Sequence, residues 1–356
     1  YAFFLSLIIT FVGIFFSYDL LKIMGSTHEA IILAKEYIDI IFLGTIVFLV
    51  LTSFNAVLNA QGDTKTYRNV LILGLIFNII LNPIFIFGLF FIPAFGIAGL
   101  AISTILIQFV ACIYLFLKVN KTELKIIPKI SNFYIRRNFF INIINQSMPI
   151  TFALFLVAIG SYILLSFINI FGEEAIAGYG AAIRFEHLFS LPVIGLNTAV
   201  ISIAGQNYGA RRYERIKEVY SKSIIIGVIF MCVSGLIIFI FSESIISIFS
   251  NDLEVIKFGS SYLKIAAFIG PIYPVFFITT AVFQAVKKPI YSLYMSILRL
   301  TALPFLSLWY VINIRHGDYE DIFYTIMATN WFMGISVIIF IKYFLDKVFK
   351  QKKKLF

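Results

Sequence analysis

The stretch 21–60, LKIMGSTHEAIILAKEYIDIIFLGTIVFLVLTSFNAVLNA, returns at 246–285 as ISIFSNDLEVIKFGSSYLKIAAFIGPIYPVFFITTAVFQA, without a gap and at a constant offset of 225. Nine of the forty aligned positions are identical. Apolar composition alone explains several Ile and Val matches. It does not readily explain Glu29 with Glu254, Tyr37 with Tyr262, or the shared ending Ala56-Val57-x-Asn59-Ala60 and Ala281-Val282-x-Gln284-Ala285. Each copy is also long and apolar enough to cross a bilayer, whose core of ~30 Å needs ~20 mostly apolar residues in a helix. The fold therefore turns on how many such spans there are and how the two copies are related.

Of 356 residues, 61% are apolar and 13% charged, against ~45–50% and ~25% in soluble domains. Mean hydropathy is +0.98. A soluble globule and a disordered chain are both excluded. The net charge of +10 sits in short loops and the tail rather than on an extended basic face, so no nucleic-acid partner is expected. Cys112 and Cys232 each lie in an apolar run, which excludes a disulfide framework or a four-cysteine metal site. Ten stretches qualify as spans, near 1–24, 34–60, 67–89, 96–117, 144–171, 175–205, 218–249, 255–285, 289–313 and 322–345. They are too long and continuous for barrel strands, which run ~10 residues with alternating polarity. Alternate loops are basic: Lys65 and Arg68, then the connection 118–143, then Arg211, Arg212, Arg215 and Lys217, then Lys287 and Lys288, then the tail. The opposite loops are neutral or acidic, as with Glu173, Glu174, Asp252 and Glu254. The positive-inside rule then places both ends of the chain on the cytoplasmic side of the membrane.

The two copies of the repeat fall on the second and eighth spans. An even separation preserves orientation, so the repeats are parallel, about an axis along the membrane normal, with six helices each. The second repeat occupies spans five to ten; the first has four, so two more are expected before Tyr1. The expected fold is an all-α polytopic membrane protein of two pseudo-symmetric six-helix bundles, with ten of twelve spans present. The expected domains are an N-terminal lobe at 1–118, a cytoplasmic amphipathic connection at 119–143 carrying Ile127, Ile130, Phe133 and Tyr134 among basic residues, a C-terminal lobe at 144–346 and a basic tail at 347–356.

Charged groups inside spans are costly and are functional candidates by default. Arg184, Glu186 and His187 lie in one span, and Arg299 in another. Glu186 has two readings: a structural ion pair with Arg184 or Arg299, or a protonatable carboxylate in a wet cavity that couples transport to protons. His187 reads as a polar helix contact before a proton relay. Asp39 and Lys264 occupy matching positions with opposite charge, near span ends where snorkelling is ordinary. Asn78 and Asn82 lie one turn apart on a helix face, followed by Pro83. Their oxygens can coordinate a hard cation or bond between helices. Pro149, Pro192, Pro271, Pro274 and Pro304 also lie within spans, where bends are expected. Metal-cluster, nucleophile-elbow and phosphate-loop signatures are missing, so an enzyme is not expected.

Four stretches resemble the multidrug and toxic-compound extrusion (MATE) transporters. They are Asn59-Ala60-Gln61-Gly62-Asp63-Thr64-Lys65; Asn78-Ile79-Ile80-Leu81-Asn82-Pro83 with Gly96 to Thr104; Arg184-Phe185-Glu186 with Leu191-Pro192 and Gly195; and Gly205-Gln206-Asn207-Tyr208-Gly209-Ala210 with the arginines after it. The resemblance covers the whole chain and likewise implies two lobes of six helices. It implies export of drugs or organic cations in exchange for H+ or Na+ by alternating access. It further implies a cation site in the N-terminal lobe to which Asn78 and Thr104 correspond, making them candidate Na+ ligands. Asn82 stands where such transporters usually have Asp, so that position has lost its charge. Others use a Glu on the first helix of the C-terminal lobe, but 144–171 has no acidic residue, so coupling there falls to Glu186. Arg184, Arg299 and Asp39 are left as cavity or ion-pair candidates. No cofactor is expected beyond the coupling ion. The expected partners are small organic cations and the lipid bilayer, with the protein acting as a monomer. A flippase for lipid-linked oligosaccharides shares the fold and is the alternative, with a polytopic membrane transferase behind it.

Overall fold

A computed structural model of the chain describes residues 2–23, 28–89, 92–123 and 137–354. Every regular element among the described residues is helical. In order they are α1 (Ala2–Ile23), α2 (His28–Leu43), α3 (Thr45–Ala60), α4 (Lys65–Phe87), α5 (Ile97–Asn120), α6 (Arg137–Ile168), α7 (Glu173–Gly209), α8 (Tyr213–Ser247), α9 (Leu253–Ile269), α10 (Tyr273–Ala285), α11 (Ile290–Ser296), α12 (Leu303–Asn313) and α13 (Tyr319–Lys354). Among the described residues nine helical segments are long and apolar enough to cross a membrane, and the bent pair α2–α3 makes a tenth. The outward faces of α4 and α6 expose large apolar side chains such as Leu75, Ile79, Leu154 and Phe155. Lipid tolerates that, whereas water would not over so large an area.

The chain divides into two compact units, Tyr1–Phe140 and Ile141–Phe356. Of the expected connection, 124–136 lies outside the described residues, Ile127, Ile130, Phe133 and Tyr134 included; from Arg137 the chain is already helical in α6. The last helix does not stop at the start of the expected tail but continues to Lys354. The reason is a buried stripe that outlasts the apolar span: Leu345 and Phe349, one turn apart, join the core, and Phe349 stacks on Tyr213 with ring centroids 4.7 Å apart.

Both copies of the repeat are broken at nearly the same register. In the first unit α2 and α3 meet at Gly44 with a 48° bend. In the second, a 3₁₀ turn at Gly270–Ile272 separates α9 from α10, and Gly44 aligns with Ile269, its immediate neighbour. Pro271 and Pro274 supply no N–H to the helical ladder there. Polar side chains from other helices bond carbonyls on either side of the turn. Trp331 Nε1 donates to the Phe268 carbonyl at 2.9 Å, and Asn197 Nδ2 to that of Phe277 at 2.5 Å.

In the second unit α9 and α10 form the central, most buried span, with Leu263, Ile269, Phe276 and Ile278 almost fully enclosed. Small residues let α7 approach it. A Cβ on Gly178 would lie 2.7 Å from the Gly259 nitrogen, and one on Gly259 would lie 2.8 Å from the Gly178 oxygen. Backbones in such contact are a common membrane helix interface, because apolar side chains gain little over lipid while close backbone packing does. The first unit packs Leu51, Leu58, Val70, Ala111, Leu115 and Val119 into a smaller core.

Candidate functional site

Two helical turns beyond Gly178, α7 presents Glu186 toward the broken span. It is 4% exposed, and among the described residues it is the one charged side chain buried to that degree. A carboxyl so placed must be hydrogen-bonded. Tyr262 Oη on α9 donates to Glu186 Oε2, and Tyr273 Oη, at the first residue of α10, donates to Oε1 at 2.8 Å. The two hydroxyls come from opposite sides of the 3₁₀ turn, so the carboxyl clamps both halves of the span. Aromatic rings close the site: Tyr179 packs edge-on to Tyr262 at 4.9 Å, and Phe323 packs against Tyr262 at 4.7 Å.

Arg299 stands behind Tyr273. Its guanidinium carbon lies 3.8 Å from the Phe276 ring centroid and 5.2 Å from that of Tyr273, and its Nε donates to Asn330 Oδ1 at 2.8 Å. It is carried by a π-helical segment, Ile297–Ala302, between α11 and α12. Such single-turn insertions are frequent at functional sites. Glu186 is thus held by hydroxyls rather than by either arginine. Arg184 and His187 lie on exposed faces of α7 and are not brought to it.

The first unit has no equivalent acid in its interior among the described residues. Asn78 Nδ2 donates to the Gly74 carbonyl at 3.0 Å and Thr104 Oγ1 to that of Leu100 at 2.8 Å, both within their own helices. Asn78 Oδ1 and the lone pairs of Thr104 Oγ1 remain as oxygen donors suited to a hard cation. Asn82 Oδ1 accepts from Ser103 Oγ at 2.5 Å, which ties α4 to α5. Asp39 forms an ion pair with Lys35, one turn away on α2, and accepts from Ser17 Oγ of α1 at 3.0 Å. Among the described residues no three His, Cys, Asp or Glu side chains gather to hold a metal. Tyr262, Tyr273, Asn330 and Ser103 were not singled out as site residues by the sequence reading. Tyr262 did leave a signal, as the tyrosine retained in both copies of the repeat. Ser103 lay within the Gly96 to Thr104 stretch that carried the resemblance, but a serine or a tyrosine such as Tyr273 in an apolar run is ordinary, and the partner of Asn330 is not visible in the chain order.

These features define a polytopic, all-helical membrane protein built on a repeated broken span, with one buried carboxyl at the break. The family profile described as MatE matches residues 1–84 and 149–308, and the chain belongs to that family. It is 28% identical over 301 residues to the probable multidrug resistance protein YpnP of Bacillus subtilis (strain 168), covering 83% of this chain and 66% of that one. It is 26% identical to YoeA, a probable multidrug resistance protein of the same organism, covering 74% of this chain and 58% of that one. A third relative, 25% identical over 91% of this chain and 71% of its own, is the FAD transporter of Shewanella oneidensis. The chain thus spans about three-fifths of the length of the first two. A crystal structure of MATE in the bent conformation superposes with a TM-score of 0.88 over 99% of this chain and 77% of the other, at 22% identity. That likeness establishes the fold.

Proposed function

We propose that the chain works as a secondary antiporter that exports amphipathic organic cations across the inner membrane in exchange for H+ or Na+, by alternating access. The observation that carries this reading is the Glu186 clamp. As a carboxylate, Glu186 accepts from both tyrosines. Once protonated it carries a donor of its own and its protonated oxygen becomes a weaker acceptor, so the hydrogen bond on one side of the break is weakened. The bonding of the broken span therefore depends on whether a proton is bound. A ligand shifts a conformational equilibrium only by its differential affinity for the two states, and a clamp across a hinge is a place where that difference can arise. Asn78 and Thr104 are the proposed Na+ ligands of the first unit, with Asn82 as an uncharged neighbour. Arg299 tunes the Tyr273 arm; Arg184 and Asp39 are peripheral. The relatives named as multidrug resistance proteins support the substrate class. A second reading, a flavin dinucleotide as substrate, rests on the match to the FAD transporter across most of the chain.

The protein reconstituted in vesicles tests this. A fluorescent organic cation should move against its gradient when a H+ or Na+ gradient is imposed, and Glu186→Gln should reduce the H+-driven component about tenfold or more while inserting normally. Transport indifferent to both ions would end the antiporter reading. Unchanged transport in the variant would leave Glu186 a structural group. Movement of FAD but not of cations would favour the second reading. Both ends of the chain should be cytoplasmic; a C-terminal reporter active only outside would reverse that.

A further inference from the structure

The stretch Gly205-Gln206-Asn207-Tyr208-Gly209-Ala210 with its following arginines has no part in the reading above. It forms the corner where α7 ends at Gly209 and α8 begins at Tyr213. An open cavity of about 520 Å³ lies there. Arg212, Arg215 and Lys222 line it, with Glu218 as the one acid. Glu218 is bound on both oxygens, by Arg215 Nη1 at 2.7 Å and by Lys222 Nζ at 2.7 Å. It cancels one of three positive charges and engages one donor from each partner. Arg212 has no ion-pair partner among the described residues. The nearby acids Asp346 and Glu214 are engaged by Lys217, at 2.7 and 3.6 Å. The first turn of the 35-residue α8 adds the positive end of its dipole, and Arg212 at the cap makes no side-chain capping bond.

Position decides what such a cavity meets. Both α7 and α8 are membrane spans, so their shared corner lies at the bilayer surface, among headgroup phosphates. The cavity is also lined by two apolar residues, the exposed Ile203 and the half-buried Val219, which suits glycerol and the first acyl carbons rather than a fully hydrated anion. Arginine pairs with phosphate through parallel N–H bonds that an ammonium cannot reproduce. We propose that this cavity binds the phosphodiester headgroup of an anionic membrane phospholipid. The site is independent of the Glu186 clamp.

The purified chain in nanodiscs of phosphatidylcholine, titrated with phosphatidylglycerol, provides the test. Phosphatidylglycerol should raise the melting temperature. In Arg212→Gln/Arg215→Gln the lipid fraction giving half the rise should increase about 10- to 30-fold, with melting in pure phosphatidylcholine unchanged. Lys287→Gln/Lys288→Gln, which removes a basic pair from the α10–α11 loop, should keep the full response. An equal loss in both double variants would reduce the effect to general surface charge and overturn the site. Protection of the wild type by inorganic phosphate in phosphatidylcholine discs would assign a soluble anion instead. If the arginine variant fails to fold, a photoactivatable phosphatidylglycerol on the wild type decides: crosslinks within 203–222 support the site, and crosslinks confined elsewhere overturn it.

Discussion

Asp39 on α2 and Lys264 on α9 occupy the same position of the repeat, and so do Asp63 and Lys288 at the ends of α3 and α10. In each pair the first unit has an acid and the second a lysine. Each inner-helix charge is answered locally: Asp39 by Lys35, and Lys264 by Glu243 at 2.9 Å. The scaffold therefore tolerates reversal of sign, as long as a counter-charge is within reach. The interiors differ more deeply. The first unit uses amides and hydroxyls, Asn82 with Ser103. The second closes its broken span around a carboxyl held by Tyr262 and Tyr273. An amide cannot change its charge near neutral pH, whereas a carboxyl can. The comparison teaches that one duplicated backbone can carry neutral amides and hydroxyls in one copy and a buried carboxyl at the break in the other.

The largest expected effect is at the carboxyl. Glu186→Ala should lower stability by about 2–5 kcal/mol, because two buried tyrosine hydroxyls lose their acceptor and a cavity opens. Thermal unfolding in detergent measures it, and a loss under 1 kcal/mol would mean the hydroxyls find water instead. Next comes the helix contact that delivers Glu186. Gly259→Ala forces a methyl against the Gly178 backbone and the Ile246 side chain and should cost about 1–3 kcal/mol. Gly180→Ala, facing open space on the same α7, should be neutral or mildly stabilising. Equal behaviour of the two would remove close packing as the positioning device. In the first unit Ser103→Ala should cost only about 1 kcal/mol, one neutral hydrogen bond; a cost matching that of Glu186→Ala would erase the contrast between the units.

The smallest effect depends on pH. The Thr66 hydroxyl and backbone N–H both bond Asp63, at 2.6 and 3.0 Å, and hold its carboxyl below the usual carboxylate range. A folded-state value below the unfolded one, about 3.9, stabilises the fold above that value. The contribution is lost as pH falls through the lower, folded value. Since Asp63 is only half-buried and solvent screens it, the contribution amounts to under about 1 kcal/mol. Asp63→Asn should show its full, small loss at pH 7, and that loss should fade as pH drops below ~4, which flattens the stability profile there; a difference persisting undiminished to pH 2 would point to packing rather than charge.

Some of the site could be read from residues in order, and some could not. Glu186 and Arg299 stood out because a charge within an apolar run is rare for a physical reason. Tyr262 was marked by the repeat. Its role was not, because the hydroxyl's acceptor sits 76 positions away on another helix. Ion pairing of Glu186 with Arg184 looked natural two residues apart, yet residues i and i+2 of a helix point to different sides. Pro149 and Pro192 lie inside continuous helices, while α8 kinks at Phe241, where there is no proline to foretell it.

Hydrophobic run length, loop charge and the offset of 225 are properties of the chain itself. Lipid cannot satisfy a backbone, so those properties alone dictated ten helical spans and a repeated plan. Which side chains meet across helices is set by the rotation and depth of each helix. Those depend on contacts such as Gly178 with Gly259, which bring α7 and α9 into backbone contact. The pairing of Glu186 with two tyrosines astride a break, and the separation of Arg184 from it, were decided only when the helices packed.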